Sequence, residues 1–212
     1  MISDETRDLV VESSTDVFLG RVWNVRRDVA IFDGTAITRY YVVHPGAVGI
    51  IAINERADVL LVNQYRHPMG KTMWEPPAGL LDVADESALD AAKRELLEET
   101  GYVASTWNVL VDFANTPGGS TELIRCFLAQ GLTLHSAGRP AQQDEEKDMP
   151  VEWVPVTEIL AAIQAGSVTN VLLVTGTFAL LTALADPGSL RSADADWPAR
   201  RALLDSNRIY TP

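Results

Sequence analysis

Three carboxylates, Glu95, Glu98 and Glu99, crowd into the run AAKRELLEETG at residues 91–101. At about 100° per residue, a helix places Glu99 about 40° from Glu95 and Glu98 about 60° to the other side, so all three share one face. Like charges at i, i+4 repel by roughly 0.2–0.5 kcal/mol per pair, and the end of a helix's dipole near its C-terminus disfavours anions. A divalent cation would reverse the sign of both terms, and carboxylate oxygens suit hard ions such as Mg²⁺, Mn²⁺ or Ca²⁺. The plainer reading of the glutamates alone is a solvated acidic face, partly neutralised by Lys93 and Arg94.

The residues upstream weigh against the plainer reading. From Gly79 the order is GLLDVADESALDAAKRELLEETGY. It resembles the Nudix box, G-x5-E-x7-R-E-U-x-E-E-x-G-U, where U is a bulky aliphatic residue. Glu86, Arg94, Glu95, Leu96, Glu98, Glu99 and Gly101 fall in register. Two positions depart: Gly79 precedes Glu86 by one residue too many, and Tyr102 replaces the last aliphatic. The resemblance implies a mixed α/β (α+β) fold, an α/β/α sandwich around a mixed sheet, with the box as loop, helix and loop. It implies that Glu95 and Glu99 are the main metal ligands, joined by the carbonyl of Ala78. Glu98 would be a further ligand or act through water. Arg94 would orient the carboxylates, with Glu86 doing so from the other end of the helix. The implied cofactor is Mg²⁺, with Mn²⁺ an alternative. Such ions screen a diphosphate and polarise its phosphoryl oxygen, and a carboxylate in reach can take a proton from water.

The stretches QYRHP, WEPPAG, TWNVLVDF and the acidic loop before VEWVPV extend the likeness over most of the chain. They resemble the ADP-ribose pyrophosphatase group, actinobacterial type. That resemblance implies hydrolysis of ADP-ribose to AMP and ribose 5-phosphate. It also implies a homodimer whose N-terminal strands are exchanged, both subunits building each site. The group's loop carboxylate aligns with Glu146 in QQDEEKDM (142–149), Glu145 being the fallback. Arg66 would contact phosphate, as a guanidinium can do bidentately, unless it is simply a salt bridge at a strand end. Arg39 would reach the partner's site, unless it is an exposed strand arginine. Glu75 would help hold substrate or metal, and NTPGGS (115–120) would line the ribose end. Trp23 or Tyr40 could stack on adenine, although core packing is the commoner use of each. The rival readings are another nucleoside diphosphate sugar, such as GDP-mannose, or a dinucleotide, and a sensor that binds without turnover. The intact R-E-L-L-E-E argues against the sensor.

These side chains need a scaffold, and the 212 residues suffice for one. With 47% apolar residues the chain can bury a substantial core. The formal net charge of −12 disfavours a nucleic-acid partner, whose phosphates are bound by Lys and Arg. A small anionic substrate remains compatible if a local cation meets it. The single cysteine, Cys126, excludes an intrachain disulfide framework and is expected to be a small buried residue. His44, His67 and His135 lack ligand spacing. The charged start MISDETRDLV has no apolar signal region, and the apolar run at 171–185 is short for a membrane span. A cytoplasmic protein away from membranes is the expectation.

Alternation predicts a β-rich N-terminal domain over 1–45, its strands DVFLGRVWNVRRDVAIF and AITRYYVVH joined at DGT. The Nudix domain is expected over 46–212. AVGIIAI (47–53) and DVLLVNQYR (58–66) suggest a hairpin. A helix should start at Asp85 or Glu86, carry Leu89, Ala92, Leu96 and Leu97 on its apolar face, and end at Gly101. Strands are predicted at 107–114, 121–129 and VEWVPV, then helices near 156–165 and 168–185. The tail from Pro187 is expected to be loosely held.

Overall fold

A computed structural model of the chain describes residues 2–141 and 149–209. In chain order its strands are β1 (Val10–Leu19), β2 (Asn24–Phe32), β3 (Thr35–Val43), β4 (Ala47–Ala52), β5 (Asp58–Arg66), β6 (Lys71–Glu75), β7 (Ala78–Leu80), β8 (Tyr102–Ala114), β9 (Leu123–Leu134), β10 (Val151–Pro155) and β11 (Arg191–Ser192). The helices are α1 (Ala88–Thr100), between β7 and β8, then α2 (Val156–Gln164), α3 (Val171–Ala185) and α4 (Pro198–Asp205). The architecture is mixed α+β. The chain divides into two compact units.

The first unit takes the described residues of Met1–Gly46, Ala114–Leu123 and Asp196–Pro212. Strands β1, β2 and β3 form an antiparallel meander in that order. Asp33 and Gly34 both adopt positive φ, 47° and 80°, as a two-residue hairpin turn requires. Distant segments close this unit. The Val42 N–H donates to the Gly119 carbonyl at 2.9 Å, and Arg26 donates to the Asn207 carbonyl at 2.6 Å. Trp197 and Ile209 are buried.

The second unit, Ala47–Phe113 with Ile124–Ala195, carries two sheets. One is β10-β5-β6; the other, mixed, is β11-β8-β9-β4-β7. β4 runs parallel to β9 and antiparallel to β7. Val48, Ile50, Ile51 and Ala52 are wholly buried, which is why this stretch reads as a continuous apolar run. Both faces are covered: α3 approaches at Gly49 and Ile51, and α1 packs on β4 and β7. Leu96 fixes α1 to the core with no exposed surface, a burial that stabilises by on the order of 2 kcal/mol. Cys126 is fully buried, and that burial pushes its thiol up to about 12. No helix among the described residues is long and apolar enough to cross a membrane.

Four expectations need correction. β4 and β5 do not form a hairpin but enter different sheets, joined through the bridge Ile53↔Val59 and the Asn54 N–H to Asp58 carbonyl bond. Asn54 accepts the N–H groups of Arg56 and Asp58, and Ala57 takes a φ of 62°, so the chain is redirected instead of folding back in register. The helix starts after Ser87, whose hydroxyl accepts the Asp90 N–H at 3.1 Å. The tail is structured over residues 187–209, because α4 and its apolar flanks Trp197 and Ile209 are held in the first unit. Trp23 and Tyr40 are exposed at 41% and 60%, not core residues; β1–β3 form a single layer with two faces, and these rings lie outside the buried one.

Candidate functional site

Helix α1 owes its position to both ends. Ser87 caps its first turn, as a short hydroxyl side chain does well. Gly101 caps the last at φ 77°, its N–H donating to the Leu97 carbonyl. Between the caps, Ala91, Ala92 and Leu96 are buried, which turns the opposite, charged side toward the loop before the helix.

On that side Arg94 is the hub. Its Nε and Nη2 donate to the two oxygens of Glu86, each at 2.9 Å. Its Nη1 donates to Glu95 Oε1 at 2.6 Å and to Glu98 Oε2 at 3.2 Å. One cation therefore serves three carboxylates. The hydrogen bonds to Glu86, ahead of its neighbours' charges, raise the Arg94 pKa and keep it protonated. Glu99 is almost fully buried and accepts the Ala78 N–H at 3.2 Å. Burying a carboxylate is costly unless it is hydrogen-bonded or faces a cation. β7 brings that N–H there by pairing with β4, Ala78 opposite Gly49.

Gly79 adds a feature that spacing alone did not reveal. A Cβ there would lie 2.0 Å from Cδ and Oε1 of Glu95. The Glu95 carboxylate thus occupies the space a side chain would fill, directly over the β7 backbone. Glu95 and Glu99, four residues apart on one helix, present acid groups to the same strand. In this arrangement, among the described residues, no three His, Cys, Asp or Glu side chains converge closely enough to hold a metal ion. Arg94 draws Glu95 and Glu98 to itself instead. The donor set nevertheless fits a hard divalent cation: oxygen ligands only, on a capped helix, beside a glycine cradle.

Other predicted residues fall as follows. Arg66 and Glu75 pair with each other across β5 and β6, Nε at 3.0 Å from Oε1 and Nη2 at 2.5 Å from Oε2. Glu75 is buried at 3% exposure, whereas the Arg66 side chain keeps 41%. The strand-end salt bridge is therefore present. Arg39 is exposed on β3 and donates to the Thr38 carbonyl. Glu145 and Glu146 lie outside the described residues. Arg139, which sequence reasoning passed over, touches the C-terminus of α1 from 41 residues away, donating through Nε to the Glu98 carbonyl at 3.4 Å.

Comparison with known proteins fits this geometry. Residues 43–171 match the NUDIX domain family. An ADP-ribose pyrophosphatase of Mycobacterium tuberculosis is 39% identical over 95% of this chain and 97% of that protein. An ADP-ribose pyrophosphatase of Bacillus subtilis is 36% identical over 61% of this chain and 70% of its own length. A crystal structure described as an ADP compounds hydrolase superposes with a TM-score of 0.68 at 19% identity, covering 98% of this chain and all of that one, and so shares the fold.

Proposed function

The chain belongs to the NUDIX family, and from that premise we propose that it hydrolyses the diphosphate of ADP-ribose, giving AMP and ribose 5-phosphate. The observation that carries the reading is the near full-length similarity to an ADP-ribose pyrophosphatase. The gathering of Glu86, Arg94, Glu95, Glu98 and Glu99 along one side of α1 supports it.

In this proposal Glu95, Glu99 and the Ala78 carbonyl would hold Mg²⁺, or Mn²⁺, with Glu98 a further ligand or acting through water. When bound, the ion screens the diphosphate and polarises a phosphoryl oxygen. Arg94 orients Glu95 and Glu98, and Glu86 steadies Arg94 in turn. Glu146, or Glu145 in its place, would help order a second metal ion and the attacking water. Arg66 meets the substrate phosphates, its direction set by the buried Glu75. Arg39 contacts substrate across a homodimer, in which an N-terminal domain over 1–45 exchanges strands and the Nudix domain spans 46–212. The cytoplasmic setting belongs to the same proposal.

Product analysis tests it. Purified protein is incubated with ADP-ribose, GDP-mannose and dinucleotides, with Mg²⁺ or with EDTA, beside Glu99→Gln. The expected outcome is AMP and ribose 5-phosphate formed fastest from ADP-ribose, only with metal. Glu99→Gln should be slower by about 10²-fold or more, the scale of losing one charge-stabilising group. Faster cleavage of another substrate replaces ADP-ribose; tight binding without turnover by the unaltered protein rejects the enzyme.

A further inference from the structure

Helix α1 carries Glu95, Glu98 and Glu99 in its last turns and has no basic residue of its own in the final one. Anions at a helix C-terminus face the negative end of the dipole; Arg94 meets the Glu95 and Glu98 side chains, and the terminal carbonyls are left to a cation from elsewhere. Arg139 supplies it. Its Nε donates to the Glu98 carbonyl at 3.4 Å, and its Nη1 donates to the Met149 carbonyl at 3.1 Å. The backbone there is equally committed: a Cβ on Gly101 would lie 2.9 Å from Arg139 N and 3.1 Å from its Cα. The preceding turn also engages the helix end, His135 N–H donating to the Gly101 carbonyl at 2.9 Å. Glycine at 101 thus serves twice, by its left-handed φ and by admitting this close approach.

We infer that Arg139 is a positioning residue for the carboxylate turn of α1: it bridges the Glu98 carbonyl to the Met149 carbonyl and sets the charge and register of the helix end. This rests on the hydrolase reading above. Stability alone is a poor account of the residue. Its Nη2 is buried with no hydrogen-bond partner among the described residues, and a buried donor left unpaired costs stability. The bridge also fixes the chain on both sides of 142–148 to the metal-binding turn, at Arg139 upstream and Met149 downstream.

The test compares Arg139→Ala and Arg139→Lys with the unaltered protein, well below each protein's melting temperature. Mn²⁺ binding is followed by electron paramagnetic resonance titration without substrate, and kcat and KM are measured on ADP-ribose. Arg139→Ala should bind Mn²⁺ about tenfold more weakly and lose about tenfold in kcat, typical of a residue behind a metal ligand, with KM within about twofold. Arg139→Lys retains the charge but not the two-armed bridge, and should fall between. Unchanged Mn²⁺ affinity and kcat in Arg139→Ala would overturn the inference. If that variant does not fold, Arg139→Lys decides, and wild-type values in it overturn the inference equally. Should the unaltered protein bind Mn²⁺ yet leave ADP-ribose intact, the substrate reading fails while the Mn²⁺ titration still judges Arg139.

Discussion

At the scale of single residues, the site turns on small side chains that leave room as much as on acidic ones. The Glu95 carboxylate lies where a Gly79 side chain would be. Gly79→Ala would force the end of a flexible glutamate aside, which the fold should tolerate and the proposed metal ligand should not. Displacement of a reacting group by about 1 Å can cost 10²-fold. The expected outcome is a melting temperature close to that of the unaltered protein, with metal-dependent turnover reduced by about 10²-fold; full activity would show that Glu95 need not lie over β7. The glutamates were legible in the sequence because one helix carries them in a fixed angular relation. Gly79 was legible as part of a pattern, although its contact with Glu95 was not, because a contact between strand and helix leaves no periodic trace. Arg139 was illegible for a stronger reason: 41 residues separate it from Glu98, and nothing local in the sequence distinguishes it from any other loop arginine.

At the scale of elements, α1 is the part on which the site depends. Its C-terminus was read correctly at Gly101, since a left-handed cap calls for glycine. Its start was placed at Asp85 or Glu86, ahead of the Ser87 cap. The structure employs Glu86 on Arg94 and leaves capping to Ser87. Ser87→Ala should therefore destabilise by about 1 kcal/mol, lowering the melting temperature by about 2–4 °C, while turnover by the folded protein stays near its original value. A large loss of activity at unchanged stability would mean that the first turn does more than begin the helix. The hairpin expected of β4 and β5 failed for a reason of the same scale. Strand propensity identified both segments, but pairing partners are chosen by burial, and a largely buried strand goes between two others, as β4 does between β9 and β7 and β5 between β10 and β6.

At the scale of the whole molecule, β1 and the turn after it, in the first unit, expose several apolar side chains: Val10, Val17, Phe18, Leu19 and Trp23 are all at least 41% exposed. Patches of this kind mark interfaces, which supports the proposed exchange of strands between two copies. Sedimentation equilibrium should give a species of twice the 23.1 kDa chain mass; a lone 23.1 kDa species at micromolar concentration would reject the dimer. The same unit is assembled from segments far apart in sequence, and this bears on the order of synthesis. A ribosome delivers β1, β2 and β3 first, yet the Asn207 carbonyl that Arg26 engages arrives 181 residues later. Contacts of such separation form slowly, and a nascent chain normally folds its N-terminal parts first. Here β3 can pair with residues 119–121 as soon as they emerge, whereas Arg26 on β2 waits for residues beyond Ala195, so this unit is completed only after the chain of the other has been made.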